Sequence, residues 1–512
     1  MIRVGLGRCQ PNYAGIAAPW GPGKDYPEIT RLLGESASSG PPNQVYSAVR
    51  SALRGLGLDA ARFGTPDWNP VGDLVPAGKR IILKPNLIRH WNPAEDGRGG
   101  TVDSVITHGA IIRAVADYAM IAAGPEGSVA IAEAPQMDCD FEKVSAITGL
   151  DDIVRVYDEA IGRVLEVIDL RREAVIFKDG IIDERKTLAG DPAGYRAVDL
   201  GDTSFFNGSG LDPNRFRGAD YDPGPTAEHH SNGRNAYLLS ETVLSADLVI
   251  NLPKLKTHKK TGVTLALKNL VGINGDKNWL PHHSLGSVDE GGDEFPQNSM
   301  IDRLRSRATE IARPLLAKGK GLKIFQMARR VETATRGDQF IRSGNWYGNR
   351  TTWRMCCDLN RCLYYSDKDG LHLDHDGPVR TVLTLIDGVL AGEGEGPLVT
   401  RDVPLGAVVA AADPVAVDLA AIRLMGFDEQ RLAVVRGPME DETARITAVR
   451  SAADVVVGEC AEDAEGVTDR TLDEITAAEP FEAHAGWIGH VEQGSTKEFS
   501  PDCRAGRGGN AG

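Results

Sequence analysis

The residues best suited to chemistry gather between Asn251 and Pro296. Asn251, Lys254, Lys256, His258, Lys259 and Lys260 come first, and Gly262, Thr264, Lys268 and Asn269 follow within an apolar stretch. Lysines in this number can hold a carboxylate or phosphate, and a histidine beside a lysine supplies the proton donor and acceptor of general acid/base chemistry. Clustered lysines usually form a solvated loop, but these flank an apolar strand and an apolar helix, which favours a pocket. Gly262 is read as the start of a helix whose free N–H groups suit an anion, with Thr264 and Lys268 four apart on one face. His282 and His283, near Asp293 and Glu294, raise a metal reading, since imidazole and carboxylate ligate zinc, nickel, iron or manganese. Neither HExxH nor CxxC spacing accompanies them, so stacking or acid/base work is the preferred role.

Such residues need elements to position them. Five short apolar runs read as buried parallel strands: Arg80–Leu83, Ser128–Ala132, Asp247–Ile250, Thr381–Ile386 and Ala407–Ala410. Ligands of open α/β sheets bind beyond the carboxyl ends of the strands. The polar groups found there are Lys84 and Asn86, then Glu133, then Asn251 through His258, then Asp387 with Glu393 and Glu395, then Asp413. If the strands are parallel, all of these share one rim. Lys84, Asn86, Asn251, Lys254, Lys256, Thr264 and Asn269 are the candidates for holding an anion, and His258 and Lys268 for moving a proton. Asp387, Glu393, Glu395 and Asp413 offer hard oxygen ligands for Mg²⁺ or Mn²⁺; recruiting His282 or His283 would shift the preference to zinc, iron or nickel.

Helices fall between the strands, one capped by Thr107 and running through Ile111 and Val115, another opened by Asp413-Pro414. The expected fold is therefore α/β, a mostly parallel sheet covered by helices over residues 1–492. A β-rich insertion is expected over 151–237, with a hairpin signal at Ala174–Phe177, Asp179-Gly180 and Ile181-Ile182. A helical insertion is expected over 297–345, with Ile301, Leu304, Ala308 and Ile311 on one stripe and Pro314 ending or kinking it. Nine basic residues from Arg303 to Arg330 make that segment a solvated face first, then a substrate lid, a dimer contact or, last, a membrane contact. The Gly-rich stretch 493–512 reads as a disordered tail.

Composition narrows the class. A chain of 512 residues with 41% hydrophobic and 25% charged residues is a soluble globular protein, and a net charge of −15 argues against a nucleic-acid partner. The apolar stretch from Ile111 to Gly124 is broken by Arg113 and Asp117, so no transmembrane segment is expected. No secretory signal is evident, and seven irregularly spaced cysteines suit reduced thiols in the cytoplasm. Gly5-Leu6-Gly7 lacks the third glycine of a nucleotide fingerprint, Cys356, Cys357 and Cys362 lack iron–sulfur spacing, and His372–Gly377 fails the calcium pattern.

Taken together, Lys84-Pro85-Asn86, Thr107-His108, Asp247 through His258, Gly262 through Asp276, Asp387-Gly388 with Glu393 and Glu395, Asp413 through Asp418 and Met425-Gly426-Phe427 resemble the family called domain of unknown function 362. The resemblance implies an α/β fold and little about activity. Many members look as if they carry ferredoxin-type cysteines or an export signal; this sequence shows neither, which argues against electron transfer. A more distant likeness is to the lactate racemase superfamily, in the order His108, His258, Lys268, and it adds His108 to the candidate acid/base groups. The function expected from the residues is an enzyme of isomerase or lyase type, transferring protons on a small anionic metabolite, with a divalent cation as candidate cofactor and a homodimer as candidate assembly. The alternative is a non-catalytic ligand-binding or assembly protein.

Overall fold

The computed structural model describes residues 1–35, 39–178, 181–296, 300–317, 343–373, 377–460 and 466–495. Runs of β-branched residues, alternating between two buried faces, build one 11-stranded mixed sheet. Its order is Thr468–Thr471, Val455–Cys460, Ile2–Arg8, Arg401–Ala411, Thr381–Glu393, Leu248–Leu252, Arg80–Pro85, Ser128–Glu133 and Leu165–Asp169. From Thr381–Glu393 to Leu165–Asp169 every pairing is parallel, with Asn251 opposite Lys84 and Leu83 opposite Ile131. Lys254–His258 pairs with the far half of Thr381–Glu393 and, antiparallel, with Gly262–Thr264.

Strand periodicity divides the core in two. Ile81, Leu83, Val129, Ile131, Leu248 and Ile250 pack under the helices Gln44–Gly55 and Gly109–Ala123. Ile82, Ala130, Ala132, Val249 and Ile386 pack under Thr352–Tyr365 and Pro414–Leu424. The chain is thus α/β with helices on both faces, as its patterning predicts. Among the described residues no helix is long and apolar enough to cross a membrane.

Several local expectations change. Arg401–Ala411 is antiparallel to both neighbours, so its carboxyl end, and Asp413 with it, lies at the opposite edge from Lys84. Ile2–Arg8 is a central strand that glycine conceals from pattern reading. A Cβ on Gly5 would come 1.9 Å from the Ala52 carbonyl oxygen, so glycine there lets helix Gln44–Gly55 sit directly on the strand. The cap of Gly109–Ala123 is His108, whose Nδ1 accepts from the Ala110 amide; Thr107 donates its hydroxyl to the Leu252 carbonyl instead. Gly262 begins a strand and not a helix, and the helix that follows is only Ala266–Asn269.

Within 151–237, Leu165–Asp169 belongs to the large sheet, while Glu173–Lys178 and Ile181–Thr187 form a separate hairpin and Tyr195–Asp199 pairs with Ala236–Ser240. The turn pair Asp179-Gly180 lies outside the described residues. Met300–Ala317 is a helix that runs through Pro314. It exposes Leu304 (60%) and Ile311 (75%). The basic residues from Lys318 to Arg330 and the segment 496–512 lie outside the described residues.

Candidate functional site

Two adjacent parallel strands, Arg80–Pro85 and Ser128–Glu133, end in Lys84 and Glu133, and the chain from His258 to His283 folds over that rim. Between them lies a cavity of about 450 Å³. Lys84, Asn86, His258, Thr264, Lys268, Asn269, His282 and His283, all predicted site residues, line it. Glu133, Lys259, Lys260, Lys277 and Arg313 line it too, beside apolar walls from Ile88, Met137, Phe177, Val271, Leu316 and Leu398.

The cations differ in how many donors they have left. An ammonium has three. Lys277 Nζ spends its donors on the carbonyls of Ala134 (2.9 Å), Val271 (3.1 Å) and Asn274 (3.4 Å). Lys84 Nζ donates to the Pro85 carbonyl at 3.0 Å and pairs with the Glu133 carboxylate. Lys260 Nζ donates to the Ser343 carbonyl. Lys268 Nζ makes no hydrogen bond or ion pair among the described residues, although Lys268 lines the cavity. Burial lowers the pKa of Lys84 and Lys268, and takes Lys260 and Lys277 down to about 7. Burial likewise raises the Glu133 pKa, opposed by Lys84.

The histidines are neutral, because burial and the surrounding lysines disfavour imidazolium. His282 is lowered to about 3, with Lys260 and Lys268 adding to burial, and His258 and His283 fall well below their ordinary value. Their tautomers follow from their partners. His258 Nδ1 accepts from the amides of Lys260 (3.0 Å) and Thr261 (3.3 Å), so its proton sits on Nε2 and the ring offers a donor. His282 Nδ1 donates to the Leu280 carbonyl at 2.8 Å, so its Nε2 offers a lone pair. Five buried polar atoms on the lining residues have no hydrogen-bond partner among the described residues; Glu133 Oε2 and Arg313 Nε are ion-paired, which leaves Asn86 Oδ1, Thr264 Oγ1 and His283 Nδ1. Unsatisfied buried atoms cost about 1–3 kcal/mol each, and a polar ligand relieves that cost. Asn269, by contrast, is engaged: its Nδ2 donates to Asn251 Oδ1 at 2.8 Å and to the Lys84 carbonyl at 3.3 Å.

Other predicted residues lie away from the cavity. Asn251 lines no part of it; its Nδ2 donates to the Ala266 carbonyl at 3.1 Å and it orients Asn269. Lys254, fully buried, pairs with Asp387 at 2.9 Å and donates to Tyr13 Oη at 3.0 Å. Tyr13 Oη in turn donates to Asp387 at 2.6 Å, and the Tyr13 ring stacks on His108 with centroids 3.7 Å apart. His108 is therefore a helix cap in a packed cluster, held by its amide on Asp387 at 3.0 Å. Lys256 Nζ donates to the Val105 carbonyl. The helix N-terminus meant for an anion is already filled, since the Ala266 and Leu267 amides donate to Asp418 at 2.7 and 3.1 Å.

The four candidate cation ligands do not converge. Glu393 pairs with Arg401 at 2.9 Å, Glu395 with His484 at 3.0 Å, and Asp413 caps its helix through the Val415 and Ala416 amides. Among the described residues no three His, Cys, Asp or Glu side chains form a metal-binding group. The donor set does not fit a divalent cation, because each carboxylate is spent on a separate structural partner.

Sequence reasoning left Glu133, Lys260, Lys277 and Arg313 without roles. Glu133 and Lys277 carried a signal, one ending a buried strand directly and the other following the Gly262–Asn269 run. Arg313 carried one through its segment, whose basic residues read second as a substrate lid.

No curated protein matches the chain. A crystal structure of a protein from Thermotoga maritima aligns at 10% identity with a TM-score of 0.28, covering 65% of this chain and 50% of that one, so the chain spans about half its length. Residues 181–423, which hold His258, Thr264, Lys268, Asn269, His282 and His283, match the family described as Domain of unknown function (DUF362), and over that stretch the chain bears the resemblance its motifs announce.

Proposed function

We propose that the protein is a cytoplasmic enzyme that acts on a small anionic metabolite, bearing a carboxylate or phosphate, by general acid/base chemistry. The observation that carries this reading is the unbalanced charge of the cavity. Lys84, Lys259, Lys260, Lys268 and Lys277 line it, with Arg313 already paired to Glu310, while the carboxylates there, Glu133 and Asp220, are engaged by Lys84 and Arg185. An anion would restore the depressed lysines to their charged form and meet Thr264 Oγ1 and Asn86, whose carbonyl oxygen could accept from a ligand hydroxyl. The histidines supply complementary proton roles: His258 Nε2–H can support a developing oxyanion, and His282 Nε2 can accept a proton once a bound anion offsets the lysine charge that weakens it. Proton abstraction followed by isomerisation or elimination needs those two roles and a nearby cation, which the lysine cluster provides. No step here runs through a metal. The six described cysteines are all free thiols, which suits the reducing cytoplasm.

A test begins with thermal shift of the purified chain against phosphate, sulfate and a panel of carboxylates, followed by turnover assays on the compounds that stabilise it. Lys268→Ala and His258→Ala should abolish turnover while leaving the fold intact. Saturable anion binding with no turnover of any stabilising compound would instead favour a ligand-binding protein, and normal turnover in both variants would remove the mechanism.

A further inference from the structure

Among the described residues, Lys268 is the one lysine of Lys84, Lys260, Lys268 and Lys277 whose amine has no hydrogen-bond or ion-pair partner. The other three donate to backbone carbonyls, and Lys84 also to Glu133. Carbonyl and carboxylate acceptors favour the protonated amine, which has no lone pair to offer. Lys268 is largely desolvated yet lines the cavity, near Lys84, Lys260 and Lys277, and the acid that acts on it, Glu133, is paired with Lys84. A desolvated lysine beside other cationic groups is the arrangement that makes an amine nucleophilic at neutral pH.

We propose that Lys268 is a covalent nucleophile, forming an imine with the carbonyl carbon of an anionic carbonyl compound of the 2-oxo acid class. This deepens the acid/base reading and rests on it for the anion. Nζ adds to the carbonyl carbon, a C–N bond forms, and the C=O π pair moves to oxygen. The two hydrogens of the amine then leave with that oxygen as water, giving the imine with no oxidant or reductant consumed. His282 Nε2, which lines the same cavity, carries the proton from nitrogen to the departing hydroxyl, and His258 Nε2–H donates a hydrogen bond to the oxygen as charge builds there. Once its nitrogen takes up a proton from solvent, the imine is cationic, draws electrons from the adjacent carbon and eases loss of a proton from it. Burial lowers the Lys268 pKa, which raises the share of free amine.

The test is reductive alkylation of the full chain at pH 7, read residue by residue by peptide mass spectrometry. With limiting formaldehyde and cyanoborohydride, Lys268 should be methylated several-fold faster than Lys143, whose side chain is 66% exposed, and faster than Lys260 or Lys277. Glyoxylate with cyanoborohydride should leave a carboxymethyl group on Lys268 and none in Lys268→Arg, which keeps the charge and lacks the nucleophile. Labelling of Lys268 no faster than Lys143, or Lys260 or Lys277 reacting first, overturns the assignment. Inorganic phosphate should slow the reaction; fast Lys268 labelling that phosphate leaves untouched overturns the anion reading while the nucleophile stands.

Discussion

Replacing Asp387 by alanine separates a structural carboxylate from a metal ligand. Asp387 accepts from Tyr13 Oη (2.6 Å), Lys254 Nζ (2.9 Å), the His108 amide (3.0 Å) and the Val389 amide (3.2 Å), and both members of the Lys254 pair are fully buried. Removing it leaves a buried ammonium whose one remaining hydrogen bond among the described residues is to the Tyr13 hydroxyl, with Asp103 the remaining acid that acts on it. Breaking a buried pair from one side costs about 3–5 kcal/mol, since the desolvation of the remaining charge is no longer offset. Urea denaturation followed by tryptophan fluorescence measures the loss, and Trp20, edge-on to His108 at 4.7 Å, reports on the cluster itself. The double variant Lys254→Met/Asp387→Leu should recover most of the stability, because an apolar pair of similar volume carries no desolvation cost. Anion binding in the cavity should survive both changes. A loss under about 1 kcal/mol for Asp387→Ala, or a Mn²⁺ affinity that disappears with it, would refute the structural assignment.

Further expectations follow from the same geometry. His282 titrates from its ordinary 6.5 when unfolded to about 3 when folded, so the stability it contributes is whole above pH 6.5 and is lost as pH falls toward 3. His282→Gln should therefore flatten the stability–pH curve between those values by about one proton, or ~1.4 kcal/mol per pH unit; an unchanged slope would mean the ring is not held neutral. Gly5→Ala should destabilise by about 1–3 kcal/mol or more in the same denaturation assay, since the new methyl meets the Ala52 carbonyl, and a neutral outcome would place the helix farther from the strand. Asp413→Ala should cost about 1–2 kcal/mol as a lost cap, with calorimetry showing no change in Mg²⁺ or Mn²⁺ binding.

The legible part of this protein was its parallel half. Lys84 follows an apolar run directly and Asn86 and His258 lie in the segments beyond such runs, and the carboxyl-end rule brought them to one rim without knowledge of side-chain direction. The rule failed at Asp413 because an apolar run does not declare its polarity, and one reversed strand sends its end to the far edge. It also overreached at Lys254 and Lys256. These share a strand with His258, yet each amine finds a buried acceptor, Asp387 and the Val105 carbonyl, that only the tertiary fold supplies. Tautomers and donor counts, which set the chemistry of His258, His282 and Lys268, depend on backbone partners and leave no mark on residue type.

The strand Ile2–Arg8 has a consequence for how the chain is made. Its two neighbours are Arg401–Ala411 and Val455–Cys460, so this strand waits for partners that are made long after it. At ~5–20 residues per second that interval is on the order of tens of seconds. During it, helix Gln44–Gly55, seated on Gly5 and Gly7, is the nearest element that can shelter the strand, and both of its hydrogen-bonding edges stay open. Closure of the sheet is then a late, long-range event with a large loop entropy to overcome. A nascent chain stalled before Arg401 would present an unpaired central strand, the form most exposed to pairing with a neighbour on the same polysome.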